Sequence, residues 1–163
     1  LPFASGAFDF VTVSGAINWI DRRRFLPEAH RVLAESGWLV VYDGAEMGAM
    51  VGRADFGDWY KGEYLQRLPR PARDESQIGK SEAAGCGFAL AETQDYVLEL
   101  SFALPAYVGF LLTQSNTTAA VGKRGETVEA IRSWLTESLQ SLFQGEEQKM
   151  LFGGFICYLH TCV

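Results

Sequence analysis

The strongest constraint on the fold lies between Phe8 and Tyr42. Phe8, Phe10, Val11 and Val13 form a short apolar run after Ser5-Gly6, which predicts a buried strand entered from a turn. Asp21 is placed as an N-cap, and Phe25, Leu26, Ala29, Val32 and Leu33 recur at helical spacing, which predicts a helix near 22–35. Gly37, free to take positive φ, is expected to end it. Trp38-Leu39-Val40-Val41-Tyr42 is a second apolar run. Strand, helix and strand within about thirty-five residues make a βαβ unit. The strands near 8–13 and 38–43 are therefore expected to be parallel neighbours joined by a right-handed crossover.

The rest of the chain is less periodic. Gly44 to Gly57 holds four glycines and predicts a mobile loop or broken helix. Phe56, Trp59, Tyr60, Tyr64, Leu65 and Leu68 suggest an amphipathic helix stopped by Pro69 and Pro71. Residues 70–87 are polar and predict exposed loop, so 44–87 is read as a variable insertion within a single domain covering 1–163. Tyr96, Leu98, Leu100 and Phe102 alternate with Glu99 and Ser101, which predicts a strand with one solvated face. Tyr107–Leu112 reads as a helix ending near Gln114-Ser115-Asn116. Val128, Ile131, Leu135, Leu139 and Leu142 mark a longer helix, and 149–162 a closing strand.

Charge and cysteine usage narrow the function classes. The net charge is −6, where a protein seeking phosphate backbones carries an excess of Lys and Arg, so no nucleic-acid partner is expected. Arg22-Arg23-Arg24 is read as the solvated start of a helix, with a partner contact as the other reading. Cys86, Cys157 and Cys162, with only His30 and His160 to join them, match no zinc spacing, so no metal is expected. Reduced thiols, the lack of a signal-peptide pattern and the lack of a spanning apolar stretch predict a cytoplasmic protein without a membrane partner. No Ser/His/Asp set, Cys/His pair or paired carboxylates stand at convincing spacing, so no catalytic residue is assigned. The chain opens at Leu1-Pro2-Phe3 without an initiator methionine, and a longer natural product is expected.

Leu1-Pro2-Phe3, Phe8-Asp9-Phe10-Val11, Ser14-Gly15-Ala16, Trp19, Arg31-Val32-Leu33 and Gly37-Trp38-Leu39 occur in an order and spacing that resemble the Methyltransf_11 type of class I S-adenosylmethionine-dependent methyltransferase. Leu111–Asn116 and the Gly154-Phe155 strand resemble its tail more weakly. The resemblance implies an α/β fold: a partial Rossmann-like methyltransferase sheet, the fourth to seventh strands of seven, flanked by helices. It implies S-adenosyl-L-methionine as cofactor and a small-molecule methyl acceptor as partner. The glycine-rich loop and the ribose-binding carboxylate that nucleotide binding asks for are not among these residues, and Gly122-x-x-Gly125 is no substitute. Weak or absent cofactor binding by this fragment is therefore expected.

The same resemblance implies the site. Leu1, Pro2 and Phe3 either approach the adenine or are core residues. Ser14, Gly15 and Ala16 fall at the carboxyl end of the first strand, where open α/β sheets bind ligands; a glycine leaves room there and a hydroxyl can meet the methionine part. Trp19 is either a cofactor neighbour or a packing residue. Asn18 replaces a histidine common in the family and, as an amide, cannot act as a base. Tyr42, Asp43, Trp59, Tyr60 and Tyr64 either line the acceptor pocket or pack the core. The acceptor's identity rests on variable loops and is not readable. Two functions follow: a small-molecule methyltransferase, or a non-catalytic interaction or oligomerisation module built on the same half-sheet. With the family's first strand missing, the strand near 8–13 becomes an open edge of Phe and Val, and a homodimer is expected.

Overall fold

The computed structural model describes residues 1–162, and of Lys123 and Arg124 the backbone alone. Strand β1 (Phe8–Ser14) leads through a 3-10 turn (Ile17–Trp19) into helix α1 (Arg22–Val32) and strand β2 (Leu33–Met50). Helix α2 (Ala54–Trp59) continues through a π turn (Tyr60–Tyr64) into α3 (Leu65–Arg67). Then come α4 (Lys80–Gly85), β3 (Phe88–Phe102), α5 (Leu104–Leu112), α6 (Ser115–Arg124), α7 (Val128–Phe143) and β4 (Gln148–Thr161). The strands form one sheet in the order β1-β2-β4-β3. The last strand in sequence is thus inserted beside β2.

The βαβ expectation is met. β1 and β2 are parallel, with Phe10 opposite Trp38, Val11 opposite Leu39, Val13 opposite Val41 and Ser14 opposite Tyr42. The alternation of strand side chains sends Val11, Val13, Leu39 and Val41 to the face covered by α1. There they meet Leu26 and Ala29, three residues apart on one side of the helix, and Leu33 just past its end. The Asp21 side chain accepts from the Arg23 backbone N–H at 3.1 Å, the N-cap anticipated from sequence. β4 runs antiparallel to β2, because Thr161 donates to the Ala34 carbonyl at one end and Gly154 abuts Asp43 and Gly44 at the other. It is antiparallel to β3 as well: Cys162 N–H donates to the Gly87 carbonyl, while Thr93 meets Cys157 further along.

Several local expectations are corrected. α1 stops at Val32 and Leu33 is already extended. Gly37 is not its cap; a Cβ there would stand 2.9 Å from the Ala34 carbonyl, and the positive φ falls on Ser36 instead. The stretch from Gly44 to Met50, expected as mobile loop or broken helix, continues β2. Its glycines serve close approach: at Gly48, with φ +66°, the ring of Tyr60 lies where a side chain would be. The expected loop 70–87 contains α4, which buries Ala83, and the strand expected from Tyr96 begins at Phe88. Helix α6 starts where a helix end was expected. Arg22 is buried rather than solvated, donating to the Ser76 hydroxyl at 3.1 Å and to its carbonyl, with Glu82 3.7 Å away.

The chain forms two compact units. The first comprises Leu1–Ala45, Arg73–Val97 and the segment from Gly153 on; the second comprises Glu46–Ala72 and Leu98–Phe152. Strands β2, β3 and β4 each contribute residues to both. The first unit's core is the α1 face of the sheet with Ile78, Ala83 and Phe88. The second is built on α5 and α7, with Tyr107, Leu111, Ile131, Leu135, Leu139 and Phe143 fully buried. Among the described residues, no helix is long and apolar enough to cross a membrane.

Candidate functional site

At the carboxyl end of β1 the chain must turn sharply out of the sheet. Gly15 makes that turn with φ +58°, and a Cβ built on it meets nothing within 4 Å. Its N–H still donates to the Tyr42 carbonyl at 3.0 Å, so the turn is tied to β2. The 3-10 turn that follows brings Trp19 back, its N–H donating to the Ala16 carbonyl at 3.0 Å. Asn18 Nδ2 donates to Asp43 Oδ2 at 2.5 Å, and the Gly44 N–H donates to Asp43 Oδ1 at 2.8 Å. Both carboxylate oxygens of Asp43 are thereby held, and Tyr96 Oη donates to its backbone carbonyl at 3.3 Å. Trp19 stays 53% exposed, with the Arg73 guanidinium 5.8 Å from its ring centroid. Ser14, Gly15, Ala16, Trp19, Tyr42 and Asp43 thus meet at one mouth. It is an open polar cradle with one uncovered backbone turn, one fixed carboxylate and one aromatic wall.

Leu1, Pro2 and Phe3 are elsewhere. The terminal ammonium pairs with Glu28 at 2.7 Å, and Arg31 donates to the Leu1 and Phe3 carbonyls. The Phe3 ring contacts Phe8, the first residue of β1, at 5.0 Å between centroids. A seven-residue strand is about 20 Å long, so this segment sits at the strand's entrance and Ser14 at its exit. It is not core either, for Leu1 and Phe3 are about half exposed.

Trp59, Tyr60 and Tyr64 lie in the second unit and are buried to 5%, 6% and 1% exposure. Trp59 and Tyr60 pack on Phe56, whose ring also meets Tyr107, and Trp59 stacks on Tyr64 at 5.6 Å. The π turn spans Tyr60–Tyr64, and the rings of these two residues lie 5.1 Å apart between centroids. This cluster encloses a carboxyl that the sequence reading missed. Glu46 is 6% exposed and accepts a hydrogen bond from the Tyr107 hydroxyl. Burial pushes its carboxyl up to about 7, against the opposing pull of hydrogen bonds from Tyr107 and Tyr60 and of the Arg70 charge. The same burial raises the Tyr60, Tyr64 and Tyr107 hydroxyls. The Tyr64 hydroxyl and Trp59 Nε1 are buried without a hydrogen-bond partner. Glu46 was hidden in sequence because Gly44-Ala45-Glu46-Met47-Gly48 has the composition of a loop; only strand pairing shows that it points inward. Among the described residues no cluster of side chains could hold a metal ion.

Fold and mouth together make an α/β sheet open at the carboxyl ends of a parallel pair. Residues 1–41 match the family model described as a methyltransferase domain. The resemblance to class I S-adenosylmethionine-dependent methyltransferases, carried by those same residues, therefore holds for the opening of the chain. The fold is similar to that of a protein from Anaeromyxobacter dehalogenans described as a type II methyltransferase, at 17% identity and a TM-score of 0.64, over 98% of this chain and 66% of that one. A protein described as a methyltransferase from Bacillus halodurans C-125 is similar at 16% identity and a TM-score of 0.51, over 100% of this chain and 68% of that one. The chain thus spans about two thirds of these structures. No curated protein matches the sequence.

Proposed function

We propose that this chain is part of an S-adenosylmethionine-dependent methyltransferase acting on a small molecule in the cytoplasm, and that it supplies one wall of the cofactor pocket. The observation that carries the reading is the Gly15 turn. It leaves bare backbone at the carboxyl end of a parallel strand, within the stretch that matches the family. Open α/β sheets bind ligands at that position.

The cofactor, when bound, brings a methyl group already activated on a sulfonium. What these residues do is position. Gly15 lets a ligand approach the backbone, Ser14 offers a hydroxyl, and Trp19 gives a flat wall. The clamp of Asn18 and Gly44 on Asp43 fixes a carboxylate at the same mouth. Holding reactants in line supplies much of the rate of such a transfer, and Asn18 takes no part as a base. Tyr42 and Asp43 are the acceptor-side candidates here. Trp59, Tyr60 and Tyr64, being buried, support the second unit instead.

The glycine-rich loop and ribose carboxylate are not among these residues, so affinity for S-adenosylmethionine is expected in the millimolar range or weaker. Amide chemical shifts followed during titration test the site directly. The reading expects perturbations confined to Ser14–Trp19 and Tyr42–Gly44. Perturbations centred elsewhere overturn it, and micromolar affinity by calorimetry overturns the expectation of weak binding by these residues alone.

A further inference from the structure

We propose that Arg22 is a positioning residue of the mouth: through a strap of residues 73–78 it sets Arg73 against Trp19. The consequence for a ligand rests on the methyl-transfer reading; the relay itself does not. Arg22 opens α1, where the unpaired N–H groups of a helix favour negative charge and disfavour a cation. It is nonetheless 6% exposed, and burying a charge is costly unless partners meet it. The helix therefore does not account for Arg22. The strap does. Nη1 donates to the Ser76 hydroxyl at 3.1 Å and Nη2 to the Ser76 carbonyl. Carboxylate oxygens of Asp74 and Glu82 stand 3.9 Å and 3.7 Å from the same guanidinium.

The strap has an order of its own. Asp74 Oδ1 accepts from the Ser76 N–H at 3.0 Å and from the Ser76 hydroxyl at 2.6 Å, a turn that Asp side chains make with the backbone two residues on. Those two bonds, with the Arg22 charge behind them, hold the Asp74 carboxyl below its usual range. Ile78, two residues further, is 3% exposed in the first unit's core. The strap is thus fastened at Ser76 and again at Ile78. Its other end lies at the mouth. Arg73 Nε donates to Glu75 Oε1 at 3.1 Å, and the Arg73 guanidinium lies over the Trp19 ring, 5.8 Å from the centroid.

The two attachments are in register. Arg73 precedes Ser76 by three residues, and Trp19 precedes Arg22 by three. The strap therefore runs in one direction alongside the junction of the 3-10 turn and α1. A chain fixed at Ser76 limits where Arg73 can stand, and a guanidinium over the indole limits how that ring can turn. Arg73 backs one face of Trp19; in the methyl-transfer reading the ligand meets the other. Arg22 thus acts on the mouth through Arg73.

Amide and indole spectra of the 163-residue chain without ligand read the relay. Arg22→Gln keeps a polar head and removes the charge. It should free the strap, so that the Ser76 amide exchanges with solvent about tenfold faster or more. The Trp19 indole N–H should move toward the position it takes in Arg73→Ala. In the double variant Arg22→Gln should add no further displacement, as two residues acting in series require. An indole unmoved by Arg22→Gln overturns the proposal, as does the same displacement with and without Arg73. Should Arg22→Gln fail to fold, Ser76→Ala loosens the same joint from the strap side, and an unmoved indole there overturns it. On addition of S-adenosylmethionine, the response of Ser14–Ala16 should shrink in Arg22→Gln as in Arg73→Ala. Ligand shifts centred away from the mouth, with the relay intact in the free chain, support the relay and overturn the methyl-transfer reading.

Discussion

Asp43 and Glu46 stand three residues apart on β2 and meet opposite surroundings. Asp43 is half-buried at the mouth of the first unit, where an amide and a backbone N–H satisfy its two oxygens. Glu46 is enclosed by tyrosines in the second unit, and burial outweighs the hydrogen bonds it receives. The same functional group is thus half-open to solvent in one place and, in the other, enclosed so that burial favours its protonated form. Donor count alone does not explain the contrast, since each carboxyl has partners. What differs is water, whose removal penalises the charged form more than neutral hydroxyl donors recover.

That contrast breaks first under pH. The carboxyl of Glu46 is raised in the folded chain from 4.5 to about 7, so the folded state holds its proton over a range in which the unfolded chain has released it. Stability is therefore fully present below about pH 4.5, falls as pH rises, and levels off above about 7, losing on the order of 3 kcal/mol in all. Urea unfolding at a series of pH values should show this descent, and Glu46→Gln should flatten it. A wild-type stability unchanged between pH 5 and 8 would mean that Glu46 is not enclosed as described.

Tyr107→Phe should be next in size. It deletes the hydroxyl that donates to Glu46 and leaves a buried carboxyl short of a partner, which costs about 2 kcal/mol near neutral pH. Because that hydrogen bond lowers the Glu46 value, its loss should move the descent to higher pH. Unfolding of the variant over the same pH series checks both, and a midpoint that stays or drops would separate Tyr107 from the carboxyl.

The parallel pair was legible in sequence because its two apolar runs and the helix between them each satisfy a single local period, and α1 with its Asp21 cap follows local rules too. The mouth at Ser14–Ala16 was legible for the same reason, as the end of a readable strand. The continuation of β2 to Met50 was not. Gly48 and Gly44 make room for the side chains of Tyr60 and Tyr96, which are distant in sequence, so loop-like composition and strand structure coincide. Glu46 vanished with it. Trp59, Tyr60 and Tyr64 were found as a set but left between pocket and core, because a helical aromatic face is the same pattern in either role. Leu1–Phe3 was left between cofactor contact and core, because a motif match carries no information about which end of the next strand it occupies.

Asp43→Asn sharpens the other half of the comparison with a smaller effect. The Asn18 donor keeps an acceptor, while the Gly44 N–H loses its charged partner at a half-exposed position, so less than about 1 kcal/mol is expected. The pH descent assigned to Glu46 should remain where it was. A shift of that descent in Asp43→Asn would show that Glu46 is not its source.

Trp19→Ala should change stability least and tell most about the mouth. The indole is more than half exposed, and the Arg73 guanidinium over its ring is 5.8 Å from the centroid. An exposed cation–π contact of this kind contributes about 0.5–1 kcal/mol at best, so the unfolding midpoint should scarcely move. If Trp19 is a ligand wall, the shifts of Ser14–Ala16 on titration with S-adenosylmethionine should shrink markedly in the variant. Those of a control such as Val97→Thr, an equally exposed apolar position on β3, should not. Unaltered shifts with unaltered stability would reduce Trp19 to a surface residue. A large stability loss would instead make it a structural one, packed more firmly than its exposure indicates. The remaining result, a stable protein whose mouth no longer responds to the ligand, separates a binding role from a folding role at this residue.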